Sequence, residues 1–425
     1  MLPGRPRGKS GGNPALTRNG ERGPYQPYGP VSPIALGRRN PDDSPRTARG
    51  TAPRHARGRR PPRRTPARGK ARPAVNDPLV RRTPTLPLAV GLAAALLLSL
   101  VCGVAFGSSG IGLPRVLRLL GAGLTGGRLE AEEAAAYAIV WEIRLPRTVL
   151  AAVVGAGLAA CGVAVQALVR NALADPFVLG ISSGGAVGAN AVLLFGAFAS
   201  LGVWAVSVSA FGSALAAMAL VYLAARTAFG LTPLRLVLTG TALSYGFSAA
   251  TTLMVFAADR GEAARDAMMW LLGSLGGATW GSVPIAALTV LAGLAHLACA
   301  AGRLDALAMG DETSASLGVD PDRLRRELFV VTAAVTGTVV AVSGAIGFVG
   351  LLVPHLARML VGAGHRRVLL VAPLAGALLL VWVDIASRTL LAPAELPVGV
   401  FTAVLGVPVF LLMMRRRGQA FGAGR

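Results

Sequence analysis

The residues equipped for chemistry are few, and most are arginines placed where a cation is unexpected. Arg144 and Arg147 stand just ahead of an apolar run from Thr148 to Val169 that only Gln166 interrupts. Pro146, beside them, fits a first helical turn, where its missing N–H sacrifices no bond. That makes two arginines at a helix mouth. Arg388 lies near the end of another apolar run, with Asp384 one turn before it. A guanidinium is a planar fork that holds a carboxylate through two parallel hydrogen bonds. Local carboxylates are at hand: Glu142 is close to Arg144, and Asp384 stands at the i, i+4 spacing to Arg388. Asp384 needs such a partner, because an acid inside an apolar span is costly when unpaired.

A second group lies in AGRLDALAMGDETSASLGVDPDRLRRE, residues 301–327. The pattern predicts two short helical pieces, Asp305 to Met309 and Thr313 to Leu317, with Gly318 as a stop. Asp320 then caps the next helix and Pro321 takes its first position. A charged, capped knuckle suits a groove on a soluble partner; an ordinary amphipathic loop is the plainer alternative.

Other candidates are weaker. His355 follows Pro354 in an apolar run, and a lone histidine there is more often a packing residue than a ligand, since metal sites need converging partners. His296 is equally isolated, and His365 beside Arg366 and Arg367 fits an interfacial anchor. Cys102, Cys161 and Cys299 form no CxxC pair, so they read as small hydrophobes, with no metal site indicated. GRPRGKS at 4–10 has one residue too few between its glycines for a phosphate-binding loop. With no HExxH and no GxSxG either, no catalytic residue is assigned and the chain is not an enzyme.

The elements that must carry these residues follow from composition. At 53% hydrophobic and 15% charged over 425 residues, the chain has too much apolar surface for a water-soluble core. It reads as an all-α polytopic membrane protein with about ten transmembrane helices. The apolar spans are 86–106, 148–169, 178–200, 202–225, 235–258, 280–300, 328–344, 346–362, 368–391 and 398–414. Residues 1–84 form an Arg/Pro/Gly-rich tail expected to be disordered, 85–417 the transmembrane domain, and 418–425 a short second tail. Through residue 85 there are 20 Lys+Arg against 4 Asp+Glu, and 22 against 16 thereafter, so the net +22 divides into +16 and +6. The basicity belongs mainly to the tail and does not indicate a nucleic-acid partner. With the N-terminus inside, inner segments hold 14 arginines and outer segments 7, which places both termini in the cytoplasm.

Several long stretches, in order, resemble the FecCD-type permease family. They are RLPRT with the span after it, QALVRNALADPFVLGISSGGAVGA, WLLGSLGGATW (270–280), LAMGDETSASLGV (307–319), GAIGFVGLLVPHLARMLVG (344–362) and AELPVGVFTAVLGVPVFLLMMRR (394–416). The likeness covers all but the N-terminal tail. These permeases are membrane subunits of ABC importers for iron-siderophores, haem and cobalamin. The resemblance implies a homodimer, or a heterodimer with a similar permease, in the cell membrane. It implies cytoplasmic ABC ATPase subunits that bind the ATP, no cofactor in this chain, and an extracellular solute-binding protein. Residue by residue, it implies that Arg144, Arg147 and Arg388 receive carboxylates of the binding protein. Gly310, Asp311, Glu312, Ala315, Leu317 and Gly318 then contact the ATPase. Thr232, Pro233 and Leu234, in FGLTPLRL, lie at the cytoplasmic gate; LTPL departs from the Thr/Ser gate of the cobalamin permease, so substrate contacts do not transfer.

The reading is thus an importer permease for a metal chelate, with an iron-siderophore first and haem or cobalamin as alternatives. An ion-coupled secondary transporter is a rival from another class. It requires intramembrane carboxylates, and Asp384 is nearly alone. A membrane-anchored interaction protein acting through its basic tail is a further rival, and it predicts that deletion of residues 1–80 abolishes function.

Overall fold

The computed structural model describes residues 83–107, 110–127, 131–227, 231–258 and 261–422, and its secondary structure is helical throughout. Residues 1–82 of the expected tail lie outside these. In chain order the helices are α1 (Thr85–Ala105), α2 (Leu113–Thr125), α3 (Ala134–Val169), α4 (Ile181–Phe195), α5 (Ala205–Ala225), α6 (Pro233–Phe256) and α7 (Gly261–Leu271). They continue as α8 (Ser282–Cys299), α9 (Ala301–Ala308), α10 (Asp311–Ser316), α11 (Pro321–Ser343), α12 (Val349–Val361), α13 (His365–Thr389) and α14 (Val398–Gly422).

Each of the ten expected apolar spans holds a helix: α1, α3, α4, α5, α6, α8, α11, α12, α13 and α14. Among the described residues, seven helical stretches are long and apolar enough to cross a bilayer: α1, α3, α8, α11, α13, α5 with the turn before it, and α14 as far as Arg415. The remaining three differ for identifiable reasons. α6 has 24 residues but dilutes its apolar side chains with Thr and Ser. α4 and α12 have only 15 and 13 residues. At about 1.5 Å per residue neither covers a hydrocarbon core of about 30 Å. Irregular backbone completes each: residues 170–180 lead into α4, and 344–348 into α12.

The expected helix mouth at Arg144 is corrected. Helix α3 begins upstream, at Ala134, so both arginines and Pro146 lie within it. A proline inside a helix removes one hydrogen bond and crowds the preceding turn. Here Ile139–Arg144 widen into a π-helical turn just before it, which absorbs the crowding without breaking the helix. Composition alone showed the apolar run, and the run starts later than the helix does.

Helix α3 is the axis of the bundle, packing on α1, α8, α11, α12 and α13. Small residues permit this. A Cβ on Gly155 would lie 2.2 Å from the carbonyl oxygen of Gly376 in α13, and one on Gly162 would lie 2.0 Å from that of Gly350 in α12. Between helices in lipid, association rests on such close van der Waals approach, because the surrounding solvent is as apolar as the side chains. The outer helices show the converse: α1 leaves Leu86, Val90, Leu97 and Leu98 exposed, a surface suited to acyl chains.

The connecting segments contain helices that hydrophobic runs did not reveal. α2 is amphipathic, burying Val116 and Leu119 against Ala136 and Val140, while Arg118 and Arg115 pair with Glu133. α7 is similarly two-faced and buries Ala267. Gly162→Ala is expected to destabilise the bundle by about 1–3 kcal/mol through overpacking, whereas Gly212→Ala, with open space around it, is expected to leave stability unchanged. Thermal melts of the detergent-solubilised chain check this; equal melting of the unsubstituted chain and both variants would mean that α3 and α12 separate at no cost.

Candidate functional site

Three features of the bundle can take part in function: an arginine cluster at one end, a cavity between α6 and the irregular segments, and the 301–320 knuckle.

The arginine cluster joins four parts of the chain. Arg147 sits one turn into the part of α3 that follows the π-turn, with its side chain 6% exposed. Its Nε donates to Asp384 Oδ1 at 2.8 Å, and its Nη1 donates to both oxygens of Glu395 at 3.0 and 2.9 Å. Arg388 Nε lies 3.1 Å from Asp384 Oδ2, and its Nη2 donates to the carbonyl of Gly103 at 2.9 Å. Arg144 donates through Nη1 to the carbonyls of Val104 and Ala105, at the end of α1. The i, i+4 pairing of Asp384 with Arg388 is therefore present, and Arg147 shares the same carboxylate. The family resemblance implies that these three arginines receive carboxylates of a partner. Tertiary packing buries all three. Of the carboxylates that hold them, Asp384 is 1% exposed and Glu395 is 49% exposed. Glu395, on the loop before α14, escaped the sequence reading. It lies 248 positions from Arg147, and only its charge in an otherwise apolar LAPAELPVG segment hinted at a role.

The cavity, of about 460 Å³, is lined by Thr241, Ser244, Tyr245 and Ser248 from α6, by Asp175 and Phe177, and by Phe348. Asp175 caps the 176–179 turn by accepting from the Phe177 N–H at 2.8 Å. Phe348 has φ +68°, a left-handed conformation rare for a bulky residue. Such strain is kept where surrounding structure fixes it, commonly beside a functional surface. Behind the cavity, Gln166 donates to the Leu351 carbonyl at 3.1 Å and accepts from Arg358. That explains the one polar interruption of the apolar run in α3: it ties α3 to helix α12.

The knuckle has the two helical pieces and the cap expected of it. α9 runs slightly earlier than expected, and α10 ends before Leu317; Gly318 then takes φ +78°. Asp320 accepts from the N–H groups of Asp322 and Arg323, with Pro321 at the first helical position. Glu312, Ala315 and Leu317 are exposed, as is Met309. Asp311, its side chain 45% exposed, is engaged by Arg325 at 2.5 Å and Arg170 at 3.4 Å. Gly310 adopts φ 114° and ψ 163°, open only to glycine.

Thr232 precedes α6 in extended conformation, Pro233 is its first residue, and Leu234 is exposed; residues 228–230 of the same turn lie outside the described residues. His355 is buried, and His365 Nδ1 lies 2.6 Å from Asp305 Oδ1, tying the start of α13 to α9. Among the described residues, no three His, Cys, Asp or Glu side chains converge to hold a metal ion.

Comparison with known proteins finds a family and several relatives. Residues 95–416 match the FecCD transport family. A cobalamin import permease, BtuC, of Halobacterium salinarum is 43% identical over 66% of this chain and 74% of its own length. The hemin permease HmuU of Yersinia pestis is 42% identical, over 67% and 85%. The Fe(3+) dicitrate permease FecD of Escherichia coli is 39% identical, over 66% and 86%. A solved structure in an inward-facing conformation, ascribed to a metal-chelate type ABC transporter, superposes with a TM-score of 0.66 at 29% identity, covering 78% of this chain and 99% of that one.

Burial separates the two carboxylates of the arginine cluster. Asp384→Asn leaves Arg147 and Arg388 with less than their charge compensated, and is expected to cost about 3–5 kcal/mol. Glu395→Gln, half in solvent, is expected to cost about 1 kcal/mol or less. Melting of the two variants side by side checks the order; equal losses would show that exposure does not govern this cluster.

Proposed function

The chain belongs to the FecCD transport family, and from that premise we propose that it carries an iron-siderophore chelate across the cell membrane. As a member it is a multi-pass, non-catalytic permease of an ABC importer for metal chelates, with no cofactor of its own. It works with ATPase subunits and a binding protein. Energy comes from the ATPase, so the ion-coupled alternative is set aside. Asp384, the acid such a carrier would need, is already held by two arginines.

The observation that carries the reading is the extent of the match, which runs through the arginine cluster, the cavity border and the knuckle alike. Ferric chelate permeases among the relatives support iron as the cargo. The cobalamin and hemin permeases, at 43% and 42% identity, support a second reading in which the chelate is a corrin or a porphyrin.

The path runs along α6 and the cavity beside it. Non-helical backbone at membrane depth is tolerated where it is buried in protein or lines a water-filled space. The segments 170–180 and 344–348 both border this cavity. Leu238, Tyr245 and Leu253 of α6 stand open and suit a path completed by a second permease, identical or similar. Thr232, Pro233 and Leu234, at the start of α6, serve as the cytoplasmic gate. The arginine distribution supports an orientation with both termini and the knuckle in the cytoplasm. Gly310, Asp311, Glu312, Ala315, Leu317 and Gly318 then form or shape the ATPase contact, and rigid-body motion alternates access.

The cluster of Arg144, Arg147 and Arg388 marks the outer, docking end. Burial alters how docking would work: Arg147 is occupied by Glu395, the one half-exposed acid of the cluster. A carboxylate of the binding protein takes the place of Glu395 on the Arg147 fork. Glu395→Gln is then expected to tighten capture of the binding protein, and Arg147→Gln to weaken it. Unchanged affinity in both would return the arginines to a purely internal role.

The cargo test is uptake into vesicles holding the permease with its co-purifying ATPase, supplied with ferric siderophore, haem or cobalamin. ATP-dependent uptake of the ferric siderophore alone is expected. Uptake of haem or cobalamin in its place would establish the second reading, and uptake without any ATPase would overturn both.

A further inference from the structure

Helix α10 carries the exposed face of the knuckle, yet little apolar packing holds it. Of its six residues only Ser314 is buried, and its hydroxyl donates within the knuckle, to the Val319 carbonyl at 3.3 Å. The helix touches α9 and α11. Its firm attachment is ionic. Arg325, in the first turns of α11, has a side chain 3% exposed; one arm lies 2.5 Å from Asp311 Oδ1 and the other 3.4 Å from Asp322 Oδ1. Arg170 approaches the same Asp311 oxygen at 3.4 Å from the end of α3.

The backbone is shaped for this meeting. Arg170 caps α3 in the left-handed conformation, φ 53° and ψ 36°, where a glycine is usual. Gly310 lies just before Asp311, and a Cβ there would come 3.7 Å from Arg170 Nη1. Two positive-φ residues thus turn the ends of α3 and α10 toward one another. One of them is an arginine whose side chain then finds the acid.

We infer that Asp311, Arg325 and Arg170 form a charge latch that fixes α10 to both α3 and α11, with Arg325 as its positioning residue. A displacement of the exposed face at Glu312, Ala315 and Leu317 is then delivered to the axial helix of the bundle rather than taken up by bending at Gly310 and Gly318. Arginine suits this role because it stays charged at every relevant pH and its fork grips Asp311 and Asp322 together. The fork is buried while the Asp311 and Asp322 side chains are 45% and 52% exposed, so salt screens the latch in part. The latch rests on the proposal that the knuckle contacts the ATPase. It adds what the contact does: it drives α3 and α11 as one body, and α3 carries Arg147 about six turns further up.

The test uses the full transporter, permease with ATPase and binding protein, in proteoliposomes, and reads the ATP hydrolysed per chelate imported. Arg325→Gln is expected to raise that ratio about tenfold with hydrolysis retained, and Asp311→Asn to raise it by a similar factor, the size of an ordinary coupling free energy. The double variant is expected to raise the ratio by less than the product of the two single effects, because the singles share the Asp311–Arg325 pair. Asp311→Glu and Arg325→Lys are expected to recover part of the coupling, which mere loss of stability would not allow. Should Arg325→Gln fail to fold, Arg170→Gln, on a partly exposed side chain, reads the same latch.

An unchanged ratio in Asp311→Asn and Arg325→Gln, alongside a raised one in Glu312→Lys with Leu317→Asp, would overturn the latch and leave the ATPase contact standing. An unchanged ratio in that surface pair as well would remove the contact itself. Loss of the ATPase from the complex in Asp311→Asn but not in Arg325→Gln would also overturn the latch, since Asp311 would then touch the ATPase directly.

Discussion

Close approach of α3 to its neighbours is the constraint on which the bundle depends. Gly155 and Gly376 face each other so tightly that a Cβ on either would meet the other's carbonyl oxygen, at 2.2 and 2.4 Å. Gly162 and Gly350 repeat the device toward α12. In lipid there is little hydrophobic gain from burying one apolar helix on another, so contact distance decides which helices associate. With α3 gripped on several sides, residues far apart along it are held in register with one another. Arg147, within the helix, reaches Asp384 and Glu395; Arg170, at its end, reaches Asp311.

The polar groups follow from that rigidity. A charge removed from water must be paired, and pairing inside a bundle is possible only where helices are already fixed. The carboxylate of Asp384 serves two arginines from two helices, and carbonyls at the end of α1 accept from Arg144 and Arg388. Gln166 works in the same manner near the cavity, using both ends of its carboxamide. Thus Asp384 and Gln166, which interrupt apolar spans, are tie points between elements, and of the two acids in the arginine cluster Glu395 is the one left half in water.

Irregular backbone completes the design. α4 and α12 are too short to span, and each is preceded by chain that is not α-helical. Both segments border the same cavity, with the hydroxyls of α6 opposite. Packed helices bound this space on one side, and α6 beside it carries the exposed side chains of Leu238, Tyr245 and Leu253.

Much of this was legible in the amino-acid order alone. Hydrophobic runs located the helices, because a bilayer demands some twenty apolar residues in succession, and Asp320 with Pro321 announced the start of α11 by local capping chemistry. The Asp384–Arg388 pair was also local, one turn apart. Three things were not legible. The upstream extension of α3 through a π-turn lay hidden because alanine-rich, charged sequence at 134–144 carries no long apolar run. The shortness of α4 and α12 was hidden because apolar residues continue through the irregular chain beside them. The partners of Arg147 and Asp311 were hidden because Glu395 is 248 residues away from the first, and because Arg170 and Arg325 meet the second only after α3 and α11 are packed. Short-range pattern reports how each segment meets lipid and where it stops. Which charge meets which is settled by the crossing of helices, and that depends on contacts between residues far apart in the chain.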